Sequence, residues 1–142
     1  MAEFQLAVEK VLRSEGGYSD RAADRGGATN FGITEKVARS FGFQGDMRDF
    51  TRDQAVDIYR REYWDPLNLD AAAQGQADQL FQMAVNSGTG FARQAREESA
   101  AIDPERARLA IAQIRHYADI VNKTPGQAAN LHGWINRALE YV

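Results

Sequence analysis

Glu15-Gly16-Gly17-Tyr18-Ser19-Asp20-Arg21-Ala22-Ala23-Asp24-Arg25-Gly26-Gly27-Ala28-Thr29-Asn30-Phe31-Gly32-Ile33 is the stretch that decides how this chain folds. It holds five glycines and no helical stripe. Glycine at this density permits tight turns and close backbone approach, so the stretch reads as an irregular segment or a short β-hairpin. Helical periodicity takes over on both sides. Upstream, Phe4, Val8, Val11 and Leu12 recur at i, i+4, i+7 and i+8, an amphipathic helix that ends at Gly16-Gly17. Downstream, a short helix is expected from Thr34 to Gly42. Thr51 with Gln54 forms a capping box ahead of Ala55, Val56, Ile58, Tyr59 and Tyr63, a helix stopped by Asp65-Pro66. Leu80, Phe81, Ala84 and Val85 mark another, closed near Gly88. Asp103-Pro104 and Thr124-Pro125 each set a capping side chain before a proline at the first helical position. Helices should follow through Leu109, Ile111, Ile114 and Tyr117, and through Ala128, Leu131, Ile135, Ala138 and Leu139.

The expected fold is therefore mostly α, of α+β type, a helical domain with one small glycine-rich hairpin lobe. Residues 1–142 carry no internal repeat, low-complexity stretch or long linker, and 142 residues is the size of one ordinary domain. Hydrophobic residues at 44 % and charged residues at 26 % give the balance of a globular protein rather than a disordered one. Lys and Arg number 17 against 20 Asp and Glu, a net charge of −3, which argues against a dedicated nucleic-acid binder. The absence of cysteine excludes disulfide frameworks, thiol nucleophiles and thiolate zinc sites. His116 and His132 fall on different helices and are expected to be structural or solvent-facing. No metal or organic cofactor is expected. The N-terminus does not read as a secretory signal, and no apolar run reaches the length of a membrane span. The chain is expected to be made in a cytoplasm and to act as a monomer.

The chemistry concentrates around Glu15. It extends the stripe 4, 8, 11 to 15, which would turn its side chain toward the core, and it lies in the last helical turn, where the dipole disfavours a further negative charge. Both effects favour a protonated carboxyl, the state a general acid needs to protonate the leaving oxygen of a glycosidic bond. Taken alone, Glu15 reads first as an exposed helix-terminal glutamate before a Gly-Gly stop. Asp24 follows nine residues on, Thr29 five after that. Glycoside hydrolysis calls for a second carboxylate across the bond, to activate water or to stabilise positive charge on the sugar, and a neighbouring hydroxyl can position that water. Asp20 is the rival for the carboxylate role, and both aspartates also suit plain turn chemistry.

Glu15-Gly16-Gly17-Tyr18, followed by Asp24-x-Gly26-Gly27-Ala28-Thr29-Asn30-Phe31-Gly32-Ile33-Thr34, resembles glycoside hydrolase family 108, N-acetylmuramidases found as phage endolysins and in related bacterial proteins. Ile58-Tyr59-Arg60 running to Tyr63-Trp64, Ala84-Val85-Asn86-Ser87-Gly88 and Gly133-Trp134-Ile135-Asn136-Arg137 agree with it in the same order. The spacing of Glu, Asp and Thr also looks like the triad of phage-type lysozymes, where the gap from Asp to Thr is one residue longer. The resemblance implies a lysozyme-like fold, peptidoglycan glycan strands as partner and substrate, and Glu15 as the catalytic glutamate, with Asp24 and Thr29 beside it. The chain departs from the family after Asn86-Ser87-Gly88. Members continue into a peptidoglycan-binding region with a Gly-Pro turn, whereas here Ala92 to Ala107 is a charged run, leaving about 107–142 as a shortened counterpart.

Tyr18, Tyr63 and Trp64 are candidate walls of a sugar groove, since aromatic faces pack on pyranose rings while their polar tips stay wet. The stripe puts Tyr63 on the apolar side of its helix, so it is expected in the core. Asn30, inside the two-part motif, and Asn86, which also suits a helix end, join as candidate substrate contacts on the likeness. Gly26, Gly27 and Gly32 would let backbone approach the glycan closely. The expected reaction is hydrolysis of the β-1,4 bond between N-acetylmuramic acid and N-acetylglucosamine, causing wall lysis once a holin, an injection apparatus or a secretion system delivers the enzyme. Two rivals remain: a lytic transglycosylase on the same fold, and a non-catalytic peptidoglycan-binding protein of a phage particle.

Overall fold

The computed structural model describes residues 1–19 and 27–140. The chain forms two compact units, Met1–Arg96 and Glu97–Val142. Among the described residues the fold is mostly α, lysozyme-like, with one small antiparallel sheet. None of the described helices is long and apolar enough to cross a membrane.

The first unit opens with α1 (Phe4–Glu15), whose Ala7, Val8 and Val11 are buried. The Glu3 N–H ahead of it donates to Gln74 Oε1 at 2.7 Å, and Gly16 ends it at φ +76°, a conformation that side-chain-bearing residues resist. The glycine-rich stretch does form a hairpin. Strands β1 (Thr29–Asn30) and β2 (Ile33–Thr34) pair Thr29 with Thr34 and Asn30 with Ile33, leaving Phe31-Gly32 as a two-residue loop. Both loop residues have positive φ, +51° and +76°, the pattern of the type I′ turn that suits the twist of paired strands. Ser19 bridges to Thr29 through two backbone hydrogen bonds of 2.8 Å.

Helix α2 (Glu35–Ser40) starts as expected, with Thr34 Oγ1 accepting from the Val37 N–H. Helix α3 (Arg52–Tyr59) starts on the full capping box of Thr51 and Gln54. It then widens into a π turn over Arg60–Trp64, closed by the Asp65 N–H donating to the Arg60 carbonyl. This turn decides which aromatic faces inward. In an uninterrupted α-helix Tyr59 and Trp64 would stand about 140° apart around the axis. A turn with i→i+5 bonds brings residues five apart to one face. Tyr59 and Trp64 accordingly both reach the Phe81 ring, at 6.0 and 5.5 Å between centroids, and Phe4 completes the cluster. Two 3₁₀ turns, Asp65–Leu67 and Leu69–Ala71, lead to α4 (Gln74–Ser87). Helix α5 (Thr89–Ser99) takes in the first half of the charged run from Ala92. Only Ala92 of that helix is buried, so there was no apolar stripe to reveal it.

In the second unit, α6 (Pro104–Lys123) has the expected start, Asp103 accepting from the N–H groups of Glu105 and Arg106 at 3.0 and 2.9 Å. The Thr124-Pro125 start differs. Thr124 makes no side-chain cap, and the chain runs as a 3₁₀ segment over Pro125–Asn130 before α7 (Leu131–Leu139). Tyr117 and Trp134 pack ring to ring at 5.2 Å, so Trp134 serves packing.

Candidate functional site

Glu15 ends α1, and contrary to the stripe argument its side chain is exposed rather than turned into the core. It reaches sideways to the hairpin tip. A Cβ on Gly32 would stand 2.8 Å from Glu15 Cγ and 2.9 Å from Glu15 Oε2, and 2.5 Å from the Tyr59 hydroxyl oxygen. Glycine at position 32 thus meets two demands at once: it holds φ +76° and leaves the carboxyl room to lie on the turn. Tyr59 stands behind the tip, buried, with its hydroxyl donating to the Phe31 carbonyl at 2.9 Å. Tyr63 is half-buried beside it, ring centroids 5.8 Å apart. Burial pushes both phenols above their ordinary range. Glu15's negative charge adds to that shift for each, joined by Tyr63 at Tyr59 and by Glu62 at Tyr63. Both phenols are therefore neutral, and the group that gathers round Glu15 is an exposed carboxyl, a turn whose Gly32 carries no side chain, and two uncharged tyrosines.

Thr29 is half-buried in β1, and its hydroxyl faces the Ser19 carbonyl at a long 3.5 Å. Tyr18 is 37 % exposed, with the Arg48 guanidinium over its ring at 4.9 Å. Arg48 also meets Asp46 at 3.1 Å, and the Arg48 N–H donating to Asp46 at 2.8 Å holds that carboxyl below its usual range. Tyr18, Asp46 and Arg48, with Gly27, Glu35 and Arg39, line an open polar hollow of about 410 Å³. The Asp46–Arg48 pair was missed in the sequence. Asp46-x-Arg48 is a local turn signal, but nothing in the spacing brings it to Tyr18. Asp24, Asp20 and Gly26 lie outside the described residues.

Two expected substrate contacts are interior instead. Asn30 is 5 % exposed, and its amide donates to the Met47 and Phe50 carbonyls at 2.8 and 3.4 Å, tying the 47–50 loop to the hairpin. Trp64 is fully buried, its indole N–H donating to Asp70 at 2.9 Å. The π turn is the reason: it rotates Trp64 into the aromatic cluster and leaves Tyr63, expected in the core, as the half-exposed ring near Glu15. Asn86 is exposed near the end of α4. His116 and His132 are exposed.

Comparison with known proteins bears on the same stretch. The family model described as Glycosyl hydrolase 108 matches residues 8–88, a span that takes in Glu15, the hairpin, the π turn and α4. No curated protein matches the chain. Among solved structures it is similar to Brucella abortus SagA, with a TM-score of 0.62 and 24 % identity over 97 % of this chain and 94 % of that one. At that identity the likeness speaks to the fold.

Proposed function

The chain belongs to the glycosyl hydrolase 108 family; from that premise we propose that it is a peptidoglycan hydrolase, an endo-acting N-acetylmuramidase cutting the β-1,4 bond between N-acetylmuramic acid and N-acetylglucosamine. The observation that carries this reading is the seat of Glu15. Its carboxyl is exposed at a helix end, and it rests on a turn whose Gly32 presents no side chain to an incoming sugar. In the reaction, Glu15 gives its proton to the leaving oxygen as the glycosidic bond breaks. Water adds to the anomeric carbon and loses its proton to the second carboxylate, Asp24 or failing it Asp20, with Thr29 helping to hold the water. Tyr18, braced by Arg48, offers a ring face to a pyranose, and Asn86 offers an exposed amide. No step calls for a metal or organic cofactor.

The two units are read as parts of one enzyme that works as a monomer. Catalysis lies in the first, and about 107–142 forms a shortened counterpart of the family's peptidoglycan-binding end. The enzyme acts on the wall after release by a holin, an injection apparatus or a secretion system. Mass spectrometry of digested peptidoglycan tests the reaction. Hydrolysis adds one water per cut and leaves reducing N-acetylmuramic acid ends. Anhydro-muramyl ends would show a transglycosylase, reducing N-acetylglucosamine ends would show the wrong bond, and undigested strands would show no enzyme.

A further inference from the structure

Tyr59 is 1 % exposed, and its hydroxyl is a polar end within an aromatic cluster. Packing does not require that hydroxyl. The ring meets Phe81 edge-on at 6.0 Å and Tyr63 at 5.8 Å, contacts that phenylalanine would make as well. What the hydroxyl adds is the 2.9 Å hydrogen bond to the Phe31 carbonyl. Phe31 is a non-glycine residue at φ +51°, a backbone state unfavourable for an L residue unless something holds it. The same oxygen, with Glu15 Cγ and Oε2, crowds the single point where a Cβ on residue 32 would stand. Three elements therefore converge there: the end of α1, the hairpin tip and the end of α3. Tyr59 is also the last residue before the π turn, a helix defect that often accompanies functional sites.

We infer that Tyr59 is a positioning residue for Glu15: its buried hydroxyl fixes the Phe31–Gly32 turn on which the carboxyl rests, and so sets the direction from which the proton reaches the leaving oxygen. The inference rests on Glu15 being the acid of the reaction. A carboxyl on a held turn presents its proton along one line, while one on a loosened turn spreads over several. A misplacement of about 1 Å at a reacting group can cost on the order of 10²-fold in rate.

The test is Tyr59→Phe, which keeps the ring and removes the hydroxyl, measured on two substrates. Peptidoglycan strands have a poor leaving group that must be protonated. In a peptidoglycan oligosaccharide whose terminal N-acetylmuramic acid carries 2,4-dinitrophenolate at its anomeric carbon, the dinitrophenolate leaves without acid help. On strands, kcat should fall about tenfold or more with KM within about twofold, while turnover of the dinitrophenyl glycoside stays within about twofold. Glu15→Gln, run beside it, should show the same selectivity at larger amplitude. Full activity of Glu15→Gln on strands would remove the acid itself and the inference with it. With Glu15→Gln inactive, an equal loss of Tyr59→Phe on both substrates, a change in KM alone, or no loss would overturn the positioning role and leave the acid standing. If Tyr59→Phe lacks a cooperative melt, 4-aminophenylalanine at position 59 keeps the ring and nearly the same size while replacing the O–H by a weaker N–H donor. It should show the same selectivity at smaller amplitude, and an equal effect on both substrates, or none, overturns the inference.

Discussion

Glu15 and Gly32 compete for one volume: a Cβ on residue 32 would stand 2.8 Å from Glu15 Cγ and 2.9 Å from its carboxyl oxygen Oε2. Gly32→Ala should therefore move the carboxyl or the turn. The alanine also faces a left-handed backbone that costs an L residue about 1–2 kcal/mol. Activity on peptidoglycan strands should fall at least about tenfold while the protein still melts cooperatively. Turbidity clearing and a thermal melt on the same preparation check both halves.

Glu15→Gln keeps size and removes the ionisable proton donor. General acid catalysis supplies about 10²–10⁴-fold, so wall lysis should nearly vanish. Stability should hold or rise slightly, because a carboxylate at a helix C-terminus opposes the dipole. A zymogram with a parallel melt is the check.

Asp24 immediately precedes Arg25-Gly26-Gly27, whereas Asp20 lies four residues earlier. As the proposed second carboxylate, Asp24 should lower turnover far more when changed to Asn than Asp20 does. Steady-state kinetics of the two variants on solubilised glycan rank them, and the reverse order would move the role to Asp20.

Asn30→Ala separates scaffold from contact. Its amide serves the Met47 and Phe50 carbonyls inside the unit. Losing a buried partner of this kind costs about 1–3 kcal/mol. The melting temperature should drop by several degrees, while KM measured well below that temperature stays within about twofold, since no direct sugar hydrogen bond is removed.

Stability should fall at both ends of the pH scale, each for a named group. The Trp64 indole N–H, then Arg60, hold the Asp70 carboxyl below its usual range. A depressed folded value contributes stability above the unfolded value of about 3.9, and that contribution is lost as pH falls through the folded value. Asp70→Asn should flatten the acid loss. Tyr59 is the opposite case, raised by burial first and then by the Glu15 and Tyr63 charges. Its contribution is complete below the unfolded value of about 10 and is lost as pH rises above it toward the folded value. Tyr59→Phe should remove that alkaline loss. Thermal melts across pH 2 to 12 at fixed ionic strength resolve both.

The helix starts were legible because their chemistry is local: Thr34, Thr51 with Gln54, and Asp103 before Pro104 each cap within three residues. Thr124 failed as a cap although its sequence looks equivalent, since its own N–H continues the previous helix to Ile120. Helix α5 was hidden because burying a single alanine leaves no periodic trace. The hairpin was legible from glycine density, but the meeting of Glu15, Gly32 and Tyr59 was not. That meeting joins positions far apart in sequence, and Tyr59 read as one more member of an apolar stripe. Trp64 read as a groove wall and Tyr63 as the deeper ring because a stripe counted at 3.6 residues per turn assumes an unbroken α-helix; the structure buries Trp64 and leaves Tyr63 half-buried against the core.

The turn over Arg60–Trp64 holds one residue more than an α-helical turn needs. In genetic terms that surplus is a single codon. A relative lacking it would keep the same order of helices, yet a residue-by-residue alignment without a gap at this turn would set Trp64 against a neighbour pointing another way. The mismatch would run on through Leu67 and Leu69, both buried here. Ancestry across this segment is therefore traced correctly only when the gap is placed inside the turn, between Tyr59 and Asp65, and not at the proline that follows.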